Sequence, residues 1–149
     1  MEYYLSAFLG QKEVLESIQI HYENLKIIEL KQELSICLMT DELFDEVNQS
    51  TPSPDVYHFD FLNENVEEII LRLIGNKKLA YVESEYNGGQ GGHSGILWEN
   101  GKRLEIYKYS DESMNKVLQR FNISKEKGKD EFDSIELGRF GSTDQWIND

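Results

Sequence analysis

Apolar residues recur at helical spacing most clearly in the middle of the chain. The stripe occupies positions i, i+3, i+4, i+7 and i+8 of one helix: Val66, Ile69, Ile70, Leu73 and Ile74. Asn63 or Asn65 can cap the start of this helix, and Gly75 is a natural residue for its end. The pattern therefore predicts a helix that buries one apolar face.

Three further segments favour helices. The same spacing occurs in residues 14–22, and again in residues 114–121 after a possible Ser110-Asp111 cap. Residues 41–48 are predicted to form a shorter helix, with Thr40 as its cap and Leu43, Phe44 and Val47 facing inward.

Aromatic and alternating apolar runs predict strands in the remaining segments: 2–9, 55–62, 79–86, 94–98 and 103–107. The Asn100-Gly101 pair predicts a tight hairpin between the last two. Residues 25–39 fit a helix or two strands, and we favour two strands. The order of elements predicts one α+β domain over residues 1–149, in which about four helices pack on a mixed, mostly antiparallel sheet.

Charge changes the picture more than composition does. The chain has 28 acidic and 15 basic residues, a net charge of −13, which disfavours nucleic acid and anionic membranes as partners. Nine carboxylates and no Lys or Arg lie between positions 41 and 70: Asp41, Glu42, Asp45, Glu46, Asp55, Asp60, Glu64, Glu67 and Glu68. This distribution indicates either an acidic binding face or a merely solvated one.

The expected location is the cytoplasm. The apolar run of residues 3–9 is short and follows Glu2, unlike a signal peptide, and no run is long enough to span a membrane. Cys37 is the only cysteine and lies in an apolar run, so we expect a buried residue without a reactive thiol.

The segment of residues 81–93 is the strongest candidate for chemistry. Glu83 and Glu85 point to the same face of a strand, with Cα atoms about 6.7 Å apart. Together with His93 they could form a hydrolytic or metal site. The simpler interpretation is that one face of the strand is polar and the other buried. The chain contains no motif that predicts a cofactor.

The glycine-rich run at residues 88–92 resembles a phosphate-binding loop only superficially, because a strand follows it instead of a helix. We expect a wide hairpin loop, or a place where another backbone approaches closely.

The tail is predicted to pack against the domain. Residues 130–140 favour a short acidic helix that ends at Gly138, and residues 142–144 could start another turn. The apolar residues that favour packing are Phe132, Leu137, Phe140 and Trp146.

Residues 79–98 and 130–146 carry a family resemblance. Their pattern of glycines and acids is similar to that of small bacterial immunity proteins, which neutralise secreted or contact-delivered toxins. The resemblance implies a non-enzymatic protein that binds a cognate toxin inside the producing cell and covers its active or substrate surface. A basic nuclease would suit an acidic inhibitor.

The acidic residues expected to bind this partner are Asp41, Glu42, Asp45, Glu46, Asp60, Glu83, Glu85, Asp130, Glu131 and Asp133. Two alternatives stay open: a small enzyme or metal protein that uses Glu83, Glu85 and His93, and another kind of acidic interaction module.

Overall fold

The computed structural model describes residues 2–139, 142 and 145–146. Its centre is a six-stranded sheet in the order β2-β3-β1-β4-β5-β6. The strands are β1 (Glu2–Gly10), β2 (Ile28–Glu29), β3 (Ser35–Leu38), β4 (Leu79–Asn87), β5 (Gln90–Glu99) and β6 (Lys102–Ser110). The helices are α1 (Lys12–Gln19), α2 (Asp41–Asn48), α3 (Glu64–Ile74), α4 (Ser113–Gln119) and α5 (Glu131–Ser134), followed by a 3₁₀ turn at Leu137–Arg139.

The predicted α+β class is confirmed, but every strand pairing is antiparallel where a mixed sheet was expected. Helical connections do join strands that run in the same direction, from β1 to β2 and from β3 to β4. In each case an antiparallel strand lies between the two: β3 separates β1 from β2, and β1 separates β3 from β4. The inserted strand removes the parallel contacts.

Alternation along the strands gives the sheet two buried faces. On the face that we call the front, Phe8, Tyr81 and Trp98 pack against α1, α2 and α3. On the back face, strand residues such as Val82 and Leu97 pack against α4, α5 and the tail. Among the described residues, no helix is both long enough and apolar enough to cross a membrane.

Most predicted helix ends are confirmed. The Thr40 hydroxyl accepts a hydrogen bond from the Leu43 N–H at 3.1 Å, and the Asn63 carbonyl oxygen accepts one from the Val66 N–H at 2.8 Å. Gly75 follows α3 with φ +62°. The start of α4 differs from the expectation, because its cap residue is Glu112, which makes no side-chain cap.

The predicted strand at residues 55–62 is wrong. Only Asp55 forms a bridge, to Asn63, and the segment between them is a compact loop. Val56, Phe59 and Leu62 are buried at a spacing of three residues, which a flat strand with alternating sides does not provide. Tyr57 has φ +51°, far from the extended region.

The prediction of two strands in residues 25–39 is confirmed by β2 and β3, which form a hairpin. The tail packs as predicted, since Trp146 is buried in the back-face core. Gly138 does not end α5, however, because the helix stops at Ser134 and Gly138 lies inside the 3₁₀ turn. The expectations for Phe140, Thr143 and Asp144 lie outside the described residues.

Candidate functional site

The exposed carboxylates of α2, α3 and the loop between them lie on the front side of the sheet, since α2 packs against α3 there. We call them the acidic surface: Asp41, Glu42, Asp45, Asp55, Asp60, Glu64 and Glu68. Among residues 2–138, no Lys or Arg forms an ion pair with any of them. Their charge is therefore available to a partner.

Two carboxylates of the same segment hold the fold together instead. Glu46 accepts hydrogen bonds from the backbone N–H groups of Glu23 and Asn24, at 2.8 and 2.9 Å. Glu67 is buried and accepts from the Trp98 ring N–H and from the guanidinium of Arg103. The nine carboxylates of residues 41–70 therefore do not all belong to one exposed surface.

Glu83 is also a structural acceptor. Its carboxylate accepts from the backbone N–H groups of Asp60 and Phe61, at 2.9 to 3.0 Å, and from the Tyr81 hydroxyl at 2.5 Å. Burial raises the pKa of Glu83, although these hydrogen bonds oppose the shift. The side chain ties the loop of residues 55–62 to the centre of the sheet.

The structure does not bring Glu83, Glu85 and His93 together. Glu83 pairs with Ser94 and Glu85 with Gly92 across the β4–β5 ladder, whereas His93 pairs with Ser84. Because alternate residues face opposite sides, His93 lies on the back face and the two glutamates on the front. The hydrolytic or metal site expected from their spacing is therefore not assembled. Among the described residues, no group of three His, Cys, Asp or Glu side chains could hold a metal ion.

His93 is buried in contact with two partly buried aromatic rings on the back face. Its Nδ1 lies 2.5 Å from the Ser84 hydroxyl, and its ring lies 5.1 Å from the ring of Tyr86 and 5.5 Å from that of Phe132. Burial lowers the pKa of His93 to about 4, although Asp111 and Asp130 favour the charged form. This arrangement docks α5 on the sheet.

The acidic residues of the tail lie on the opposite side from the acidic surface. Asp130 caps α5 by accepting from the Asp133 N–H, and Glu131 is buried and accepts from the side chain of Gln119. Residues 111–139 carry seven carboxylates and six Lys or Arg, so the charge of the back layer is nearly balanced. One flat partner surface cannot contain both groups of the predicted binding residues.

The glycine-rich run is not a wide loop. Gly88 and Gly89 form a two-residue turn with φ +63° and +80°, and β5 begins at Gln90. The alternative expectation, a close backbone approach, is met at Gly91, where a Cβ atom would lie 1.8 Å from the Glu85 carbonyl oxygen.

Cys37 is buried as expected, and burial raises the pKa of its thiol to about 12.

A cleft on the front face of the sheet was not predicted from the sequence. It lies beside residues 55–62 and is lined by Tyr4, Ser6, Tyr57, Glu85, Ser94 and Tyr109. The available signal was the set of small residues in otherwise large-residue strands, namely Ser6, Gly92 and Ser94.

The chain has no significant match to a protein-family model, to a curated protein or to a solved structure.

Proposed function

We propose that the protein is a non-enzymatic inhibitor that binds a basic bacterial toxin, such as a nuclease, and covers its active or substrate surface. The observation that carries the proposal is the unequal distribution of charge between the two sides of the sheet. The seven exposed carboxylates of the acidic surface form no ion pair with a Lys or Arg of residues 2–138, while the charge of residues 111–139 in the back layer is nearly balanced. The similarity of residues 79–98 and 130–146 to immunity proteins supports the same function.

Charge of this kind suits an inhibitor that must reach its target quickly. A nuclease needs a basic surface to hold phosphates, and an acidic protein of matching shape competes for that surface. Opposite fields raise association rates, and salt weakens this effect. The inhibitor would act in the cytoplasm of the producing cell, where newly made or delivered toxin meets it.

Binding kinetics test the proposal. The proposal predicts a toxin gene beside the gene of this protein. The purified toxin is mixed with the protein, and the association rate is measured at low and high salt. We expect a fall of about tenfold or more between 50 and 500 mM salt. Replacing Asp41, Asp45, Glu64 and Glu68 by their amides should slow association at low salt and flatten the salt dependence.

A matched control removes the same charge elsewhere. Four glutamates outside the acidic surface, Glu2, Glu33, Glu99 and Glu112, are replaced by Gln, and this variant should keep most of the association rate and its salt dependence. If the toxin does not bind, or if both fourfold variants bind alike, the acidic surface is not the binding site.

A further inference from the structure

The cleft on the front face has a volume of about 530 Å³, within the range of sites that hold a small group. Its floor is built from two rows of residues paired across the sheet. One row joins Ser6, Glu83 and Ser94, and the other joins Tyr4, Glu85 and Gly92. Serine and glycine at these positions leave space where the neighbouring core rows hold Phe8, Tyr81 and Ile96.

Tyrosine rings border this space. The Tyr109 ring lies over Gly92, about 3.0 Å from where a Cβ atom would be, so only glycine at position 92 leaves the ring in place. Tyr4 and Tyr109 are 38% and 54% exposed, which makes their rings available to a ligand.

A third tyrosine, Tyr57, also lines the cleft and is held beside Tyr109. The Tyr57 hydroxyl accepts a hydrogen bond from the Tyr109 N–H at 3.0 Å, although Tyr57 itself has φ +51°. A bulky residue in the left-handed region is strained, and such strain persists where surrounding contacts impose it. Here the contacts that impose this conformation are the hydrogen bonds that the Glu83 carboxylate accepts from the N–H groups of Asp60 and Phe61.

Among the polar groups open in the cleft, the carboxylates and the Ser94 hydroxyl suit a cation; the exposed imidazole of His58 also lines the cleft. Asp60 and Glu85 are exposed, and no Lys or Arg is among the described residues that line the cleft. Ser94 is only 8% exposed, yet its hydroxyl makes no hydrogen bond to another described residue. The Ser94 oxygen is not fully buried, and Ser94 lines the cleft. Its hydroxyl can therefore form a hydrogen bond with a group bound there.

We propose that this cleft receives the guanidinium group of an arginine side chain from the basic partner. The flat cation stacks on the rings of Tyr4 and Tyr109, while its N–H groups donate to Glu85, Asp60 and the Ser94 hydroxyl. Phe61, which lines the cleft, contacts Phe44 of α2 with ring centroids 6.2 Å apart, so the cleft adjoins the acidic surface. The assignment of a protein partner rests on the proposed function.

Guanidinium fits better than the other charged groups. An anion would face two carboxylates, and the described lining residues include no Lys or Arg and a single imidazole, that of His58. A lysine ammonium is a compact, strongly hydrated charge, which gains less from stacking on rings than a planar guanidinium does. Tyrosine and arginine are also the residue types that dominate binding energy at protein interfaces.

Peptide titration tests the site without the toxin. The ¹⁵N-labelled full chain is titrated with N-acetyl-Gly-Arg-Gly-amide and with the matching citrulline and lysine peptides. We expect saturable shifts at the amides of Gly92, Ser94 and Tyr109 with the arginine peptide. The citrulline peptide, which has the same shape but no charge, should bind about tenfold more weakly, and the lysine peptide about threefold more weakly.

Two variants locate the binding. Glu85→Gln and Ser94→Ala should each weaken binding of the arginine peptide by about three- to tenfold. Glu13→Gln, which removes one charge from α1, is the control and should leave this binding unchanged. Equal binding of arginine and citrulline peptides would overturn the proposal. So would shifts that spread over the acidic surface and do not respond to Glu85→Gln.

The two proposals fail in different ways. If the peptide binds as described but the toxin does not, the cleft recognises arginine and the function is wrong. If the toxin binds but neither Glu85→Gln nor Ser94→Ala affects that complex or the peptide, the function stands and the cleft is not its arginine site.

Discussion

At the scale of single residues, Glu83 shows how far a sequence pattern reaches. The alternation along β4 places Glu83 and Glu85 on one face correctly, as the ladder confirms. It does not reveal that Glu83 binds backbone groups of residues 60 and 61, because those contacts span 22 or more positions of the chain. Glu83, which resembles a catalytic carboxylate in the sequence, therefore stabilises the loop of residues 55–62.

The first prediction concerns this support. Glu83→Gln replaces one carboxylate oxygen by an NH₂ group, which cannot accept, so a single uncharged oxygen is left for the N–H groups of Asp60 and Phe61 and for the Tyr81 hydroxyl. We expect a loss of about 1–3 kcal/mol in the free energy of unfolding, measured by urea denaturation. Glu85→Gln is the matched control and should change stability by less than about 0.5 kcal/mol, since Glu85 is exposed. Equal effects of the two substitutions would contradict the assigned role.

The second prediction concerns His93, whose pKa burial lowers to about 4. An unfolded histidine titrates near 6.5, so between about pH 6.5 and 4 the unfolded chain binds more protons than the folded one. Stability should therefore fall as the pH decreases through this window, by up to about 3 kcal/mol from this group. Below about pH 4 the contribution should stay constant.

Carboxylates also titrate near the lower end of this window, so the measurement is a difference. Urea denaturation of the native chain and of His93→Gln is compared at several pH values from 7 to 4. The native chain should lose more stability than the variant as the pH falls. Parallel curves would show that the neutral imidazole in contact with Ser84, Tyr86 and Phe132 does not set this pH dependence.

At the scale of elements, the sequence correctly predicted the helices and turns whose conformation depends on neighbouring residues. The apolar stripe and the caps of α2 and α3 depend on residues within one or two turns, and both helices start as expected. The hairpin at Asn100-Gly101 also formed, with φ +58° and +76° at these positions. The prediction of a strand at residues 55–62 failed because the conformation of this segment depends on hydrogen bonds to Glu83, which lies in β4.

The third prediction tests a cap that joins two elements. The Asn63 side chain caps α3 and also donates to the side-chain oxygen of Asn48 at 3.0 Å. Asn63→Ala should lower the free energy of unfolding by about 1–2 kcal/mol, as read from thermal or urea denaturation. Asn76→Ala, at an exposed position after α3, serves as control and should have little effect. A negligible effect at position 63 would mean that the cap is dispensable.

At the scale of the whole molecule, the sequence predicted the class but not the order of strands. Nothing in residues 35–38 or 79–87 indicates that β1 lies between them, because strand pairing depends on contacts far apart in the chain. The same limit applies to the acidic residues. Their density along the chain was plain, but the separation of the 41–70 segment from the tail onto opposite sides follows from the topology alone.

Growth rescue tests the central claim most directly. Cells that express the toxin encoded beside the gene are supplied with the native protein, with the amide variant of Asp41, Asp45, Glu64 and Glu68, or with the Gln variant of Glu2, Glu33, Glu99 and Glu112. We predict growth with the native protein and the second variant, and loss of protection with the first when all three accumulate equally. No protection by the native protein, or equal protection by the two variants, would contradict the account.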